Sequence, residues 1–135
     1  MIWESRSLAE FESIASEIIS HIRPGTVIAL FGEMGAGKTT FVCAVATALG
    51  ITDWVSSPTF ALVQQYDGPV PIRHLDLYRL QGADANLLDL EHYLHFPEGI
   101  VIVEWPQVLG RRLEECVHLT IDVLDHDSRR ITMCA

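Results

Sequence analysis

Apolar residues return at helical intervals near the start of the chain: Leu8, Phe11, Ile14, Ala15, Ile18, Ile19 and Ile22. That spacing predicts an amphipathic helix over 7–22, opened by Ser7 and Glu10 at the separation of a capping box. Pro24-Gly25 ends it, since proline cannot continue the hydrogen-bond ladder and glycine tolerates the turn. The pattern then changes period. Thr26-Val27-Ile28-Ala29-Leu30-Phe31 is an unbroken β-favouring run, the mark of a strand buried on both faces of a parallel sheet. A glycine-rich stretch follows over 32–37, then a second helix over 38–49 with Gly50 as its C-cap.

The later chain alternates again. Ser56-Ser57-Pro58 reads as a loop, and 60–66 and 72–77 as strands separated by the turn Asp67-Gly68-Pro69. Residues 83–94 offer Leu87, Leu88, Leu90 and Leu94 to one buried helix face. Ile100-Val101-Ile102-Val103 is a second short buried strand, and it ends at Glu104. A weak helix is expected around 107–115, with Gly110 arguing against it. Strands over 117–123 and 129–133, joined by Asp125-His126-Asp127-Ser128, predict a late hairpin. With no repeat, linker or low-complexity tract, the 135 residues are expected to form one α/β domain spanning 1–135.

Composition narrows the class of function. Hydrophobic residues make up 49% and charged residues 20%, with a mean hydropathy of +0.24, which excludes a disordered chain. No apolar run approaches the ~20 residues of a membrane span, so no membrane association is expected. Met1-Ile2-Trp3-Glu4-Ser5 has the wrong pattern for a secretory signal. Cys43, Cys116 and Cys134 are odd in number, far apart and without metal spacing, so a reduced, cytoplasmic protein is expected. Eighteen acids against nine bases give a net charge of −9. Unaided nucleic-acid binding draws on a basic face, and only Arg111-Arg112 and Arg129-Arg130 are basic doublets here. Lys38 is the single lysine of the chain.

That lysine lies in Gly32-Glu33-Met34-Gly35-Ala36-Gly37-Lys38-Thr39, which matches the P-loop pattern G-x-x-x-x-G-K-[ST]. Its context is the one the chemistry needs, a buried strand before it and a helix after it. Glycines let successive backbone N–H groups face one concavity, where the helix N-terminus adds its partial positive charge and phosphate can bind. Lys38 supplies a compact cation to the terminal phosphates and Thr39 a hydroxyl to Mg²⁺, while Thr40 either extends the cradle or is an ordinary first-turn residue. The fold expected is therefore P-loop NTPase-like: a mixed, mostly parallel sheet flanked by helices, with a C-terminal antiparallel hairpin.

Such a site also needs acid for the metal and the attacking water. Asp76 and Glu104 each end an apolar strand, and strand carboxyl ends face the ligand crevice of doubly wound sheets. Glu104 has the cleaner pattern and is favoured for Mg²⁺. Asp76 is a second metal or water-positioning candidate, its bland alternative being a salt bridge to Arg73 or Arg79. Thr59, in Ser57-Pro58-Thr59, could sense the γ-phosphate, or the segment could be a plain turn into a strand. His92 and His95 stand at helical spacing without a further ligand, as on an exposed helix face. Trp105-Pro106 after Glu104 reads as packing, with partner docking the less common use.

Taken together, the loop from Gly32 through Thr40-Phe41, Ser57-Pro58-Thr59-Phe60, His74-Leu75-Asp76-Leu77-Tyr78-Arg79-Leu80 and Val103-Glu104-Trp105-Pro106 resemble the TsaE family in order and spacing. The likeness runs from the first helix to the terminal hairpin. Leu75 is a small departure, since the family often has phenylalanine there. The resemblance implies a small bacterial ATPase that binds ATP and Mg²⁺, hydrolyses ATP slowly alone, and serves tRNA threonylcarbamoyladenosine formation. It implies TsaB and TsaD as partners, which transfer the threonylcarbamoyl group and hold the tRNA, so that tRNA is met only indirectly. It assigns Thr39 and Glu104 to the metal, the run from Met34 to Thr39 to phosphate, and Asp76 and Thr59 to the nucleotide's surroundings. Two other readings stay open: a small-molecule kinase, and an assembly module whose hydrolysis is incidental. Little of this chain remains for the acceptor segment and arginine-bearing lid a kinase needs.

Overall fold

A computed structural model describes residues 1–52, 63–78 and 90–134. Its centre is a seven-stranded sheet in the order β1-β7-β6-β2-β5-β4-β3. The strands are β1 (Ile2–Ser5), β2 (Val27–Phe31), β3 (Val63–Tyr66), β4 (Ile72–Asp76), β5 (Ile100–Glu104), β6 (Val117–Val123) and β7 (Arg129–Cys134). The four inner neighbours β6, β2, β5 and β4 pair in parallel, and antiparallel strands flank them at both edges. The mixed, mostly parallel sheet and the late hairpin of β6 and β7 are as the sequence predicts.

The unbroken apolar runs are explained by what lies on each face. Successive side chains of a strand alternate between faces. Ile28 and Leu30 of β2, with Ile100 and Ile102 of β5, meet Phe11, Ala15, Ile18 and Ile19 of α1 (Leu8–Ser20) and Phe41, Val42 and Val45 of α2 (Lys38–Ala48). Ala29, Val101 and Val103 point the other way, toward Leu75, Leu90, Phe96 and Leu109. The whole of β5 is buried. Each large aliphatic side chain so enclosed contributes about 1.5–3 kcal/mol relative to exposure.

Helix ends differ from expectation in instructive ways. Ser7 Oγ accepts from the Glu10 N–H at 3.1 Å, but Glu10 Oε1 accepts from the Arg6 N–H, one residue before the cap. Helix α2 ends at Leu49, and Gly50 (φ +78) is the next residue, in the left-handed region. Its N–H donates to the Thr47 carbonyl and that of Ile51 to Ala46, closing a Schellman turn. The weak helix expected over 107–115 is a 3₁₀ helix, Pro106–Glu115, interrupted at Gly110 (φ 59, ψ −123). The edge strand β1 has no counterpart in the sequence pattern: it is four residues long and mostly exposed, so burial leaves no alternation to read. Of the helix expected over 83–94, α3 (Leu90–Leu94) is described, and 83–89 lie outside the described residues.

Candidate functional site

The loop between β2 and α2 owes its shape to glycine. Gly35 (φ +82) and Gly37 (φ +112) hold conformations that side chains disfavour, and a Cβ on Gly32 would stand 3.1 Å from the Ile121 carbonyl. The Ala36 N–H donates to the Glu33 carbonyl, tightening the turn. Gly37 caps α2 without a side chain to offer, so the first-turn N–H groups keep their direction toward an outside acceptor. Glu33, Met34 and Gly35 are exposed at the tip, Ala36 is buried, and Lys38, Thr39 and Thr40 are half-buried in the first turn of α2. The glycine loop runs directly into the N-terminus of α2, whose first residue is Lys38, an arrangement suited to an anion such as phosphate.

Parallel pairing brings the acids to the same end of the sheet, the C-terminal ends of β4 and β5. Leu30 of β2 is opposite Glu104 of β5, and Asp76 of β4 is opposite Glu104 on its other side. The N–H of Leu77 donates to the Glu104 carbonyl, extending that ladder one residue beyond the strand. Glu104 is 5% exposed. Its Oε1 is 4.0 Å from Lys38 Nζ, within Coulombic reach but too far for a hydrogen bond. Its Oε2 is 2.5 Å from Nε2 of His74, which is wholly buried.

Trp105 follows Glu104 with φ 56, the single non-glycine residue of positive φ among the described residues. A left-handed tryptophan costs roughly 1–2 kcal/mol. The turn places its ring 5.2 Å from Lys38 Nζ and 4.9 Å from the Tyr78 ring. Aromatic surface therefore flanks the lysine.

Asp76 is near the acid end but differently engaged. Its Oδ1 accepts from the Tyr78 N–H at 3.0 Å. Arg73, considered as its ion partner, instead donates to Gln65 Oε1 and to the carbonyls of His92, Tyr93 and His95. Thr59 and Arg79 lie outside the described residues. His92 and His95 are exposed. Among the described residues no three of His, Cys, Asp and Glu gather as metal ligands. Magnesium beside a nucleotide needs no such cluster, because phosphate oxygens and water fill most of its shell. Thr39 and Glu104, both at this end of the sheet, fit that division.

Two residues at the site escape a reading of the sequence. His74 stands two positions before Asp76 on β4 and so shares its face, a period-2 signal that could have drawn attention to it. Arg129 opens β7, and its Nε donates to the Ala36 carbonyl at 2.9 Å. Its Nη1 donates to the carbonyls of Asp125, His126 and Ser128. One guanidinium thus ties the hairpin turn to the glycine loop across 93 positions of sequence. Beside the loop opens a cavity of about 150 Å³, lined by Leu8, Phe11, Gly37, Thr40, His126 and Arg129 among others.

Known proteins supply the context for this geometry. The family model described as "Threonylcarbamoyl adenosine biosynthesis protein TsaE" matches residues 5–131. The chain is similar to the tRNA threonylcarbamoyladenosine biosynthesis protein TsaE of Bacillus subtilis, 37% identical over 98% of this chain and 84% of that protein. It is 38% identical to the protein of the same name from Aquifex aeolicus, over 87% of this chain and 84% of that one. The crystal structure of Bacillus subtilis YdiB superposes with a TM-score of 0.79 at 33% identity, over 98% of this chain and 83% of that chain. With the glycine loop, the strand-end acids and a family match running nearly the length of the chain, the protein belongs to the TsaE family.

Proposed function

We propose that this chain is a Mg²⁺-dependent P-loop ATPase that serves tRNA threonylcarbamoyladenosine formation by acting with a TsaB–TsaD complex. The observation that carries the reading is the convergence of Lys38, the first turn of α2 and Glu104 at one end of the sheet. Phosphates fit the concavity of the loop, with Lys38 on the terminal groups. Thr39 and Glu104 hold the metal, which neutralises charge on the phosphates when bound. Asp76 and Thr59 complete the surroundings of the γ-phosphate. The rest of the nucleotide has room in the cavity between Leu8, Thr40 and His126.

Turnover by the isolated chain is slow on this reading. Among the described residues the arginine that contacts the loop is already engaged: Arg129 donates to the carbonyls of Ala36, Asp125, His126 and Ser128. Charge developing on the transferred phosphoryl group then goes partly uncompensated until a partner closes over the nucleotide. Trp105 and the segment Ser57-Pro58-Thr59 are the residues we assign to that partner. A net charge of −9 agrees with tRNA being held by the partners.

Single-turnover release of γ-phosphate, measured alone and with TsaB and TsaD, tests the proposal. Slow Mg²⁺-dependent release that accelerates in the complex is expected. Equal rates with and without partners refute the completion by partners. Transfer of the phosphate to a small molecule would make the chain a kinase.

A further inference from the structure

His74 is buried among apolar neighbours of β4 and β5, where an aliphatic side chain would pack without polar cost. Its flanking core residues on that face are Ile72, Ile100 and Ile102. Only one ring nitrogen is satisfied. Nε2 meets Glu104 Oε2 at 2.5 Å, while Nδ1 is buried with no hydrogen-bond partner among the described residues. An unpartnered buried polar atom costs about 1–3 kcal/mol. The contact with Glu104 is the one feature of the site that an imidazole serves and a leucine cannot.

The register explains the reach. His74 is opposite Ile102, and Asp76 is opposite Glu104, so the imidazole approaches the carboxylate diagonally from one pair back. An ionised carboxylate only accepts, which places the donated proton on Nε2. Oε2 is thereby committed, and the carboxylate plane is fixed with Oε1 on the side of Lys38.

We propose that His74 is a positioning residue that fixes Glu104 so that Oε1 is presented to the metal of the nucleotide complex. This rests on the metal reading proposed above. Partners of this kind that orient a metal ligand typically change affinity by about 10–100-fold when removed. The side chain does not touch nucleotide or metal, so its effect passes wholly through Glu104.

The test uses Mn²⁺ as the probe, read by electron paramagnetic resonance on the full chain with ADP. His74→Leu should keep the melting transition and the metal-free ADP affinity while weakening Mn²⁺ binding about tenfold or more. His74→Gln, whose longer amide can donate to Oε2, should recover most of that loss, and His74→Asn, which stops short, should not. In a Glu104→Ala background His74→Leu should add no further loss. Unchanged Mn²⁺ affinity in a folded His74→Leu variant overturns the proposal, as does an equal loss in both backgrounds. If His74→Leu fails to fold, equal Mn²⁺ affinities for the Gln and Asn variants overturn it. A parent chain that takes up no Mn²⁺ with ADP would instead refute the proposed function. Nitrogen-15 spectra of the metal-free chain provide a separate check: a proton on Nδ1 with Nε2 bare would contradict the geometry.

Discussion

The glycine loop at 32–37 and the acid end at Asp76 and Glu104 form one site by different routes. The loop takes its shape from adjacent residues: positive φ at Gly35 and Gly37, and a turn from Ala36 back to Glu33. The acid end is assembled by pairing strands, and its key contact joins residues 30 positions apart. Local construction tolerates few side chains but needs little from the rest of the fold. Register-dependent construction tolerates many sequences but fails if the strands slip, because one residue of slip sends every side chain to the other face.

Substitutions at the two regions should separate accordingly. The largest effect is expected for Lys38→Ala, which removes the charge we propose for the phosphates without touching the core. Tight ATP binding should be lost, by at least about 2–3 kcal/mol, with the melting temperature little changed. Isothermal titration checks this, and unchanged affinity would remove the loop from the site. Glu104→Gln should come next, retaining nucleotide binding while Mg²⁺-dependent hydrolysis falls about 10²–10³-fold. Should hydrolysis survive there and fail in Asp76→Asn, the two acids have exchanged roles. Asp76→Asn itself should cost less, since the amide oxygen still accepts from the Tyr78 N–H.

Arg129→Met sharpens the comparison, because it leaves the loop's sequence intact and removes its tie to the hairpin. Loss of the charge-assisted bonds to Ala36, Asp125 and Ser128 should lower stability by about 1–3 kcal/mol and weaken ATP binding modestly. If ATP affinity does not move, the loop is self-sufficient and the local account is complete. The smallest effect concerns Asp125, whose carboxyl is held below its ordinary value of 3.8 by the N–H of Asp127, with help from Ser128 and Arg129. The lowered value means that the carboxylate's contribution is present above the ordinary carboxylate range and is lost as pH falls through the lowered value. Protection of the Asp127 and Ser128 amides, taken relative to their intrinsic exchange at each pH, should fall in that acid range and stay flat near neutrality.

Trp105 offers a further check on the partner reading. Trp105→Ala should bind ATP as before yet lose acceleration by TsaB and TsaD. A fully accelerated variant would clear the tryptophan of docking. Its effect on the isolated chain should be small, since its ring flanks Lys38 at 5.2 Å and makes no hydrogen bond to it.

What the sequence determined by itself was whatever depends on neighbours in the chain. The buried strands at 27–31 and 100–104, the amphipathic helix at 8–20, the hairpin turn at 125–128 and the loop with Lys38 were legible because periodicity, turn chemistry and glycine placement are local. The acids could be marked as strand ends for the same reason. Tertiary structure decided that they stand side by side at one end of the sheet, because that follows from the order β2-β5-β4 and the register of Leu30, Asp76 and Glu104. It alone decided that His74 meets Glu104, that Arg129 reaches Ala36, and that Ile2–Ser5 becomes a strand against β7. Those contacts join distant segments, and a side chain's partner across 30 or 93 positions is fixed by strand order and packing rather than by its own neighbourhood in the sequence.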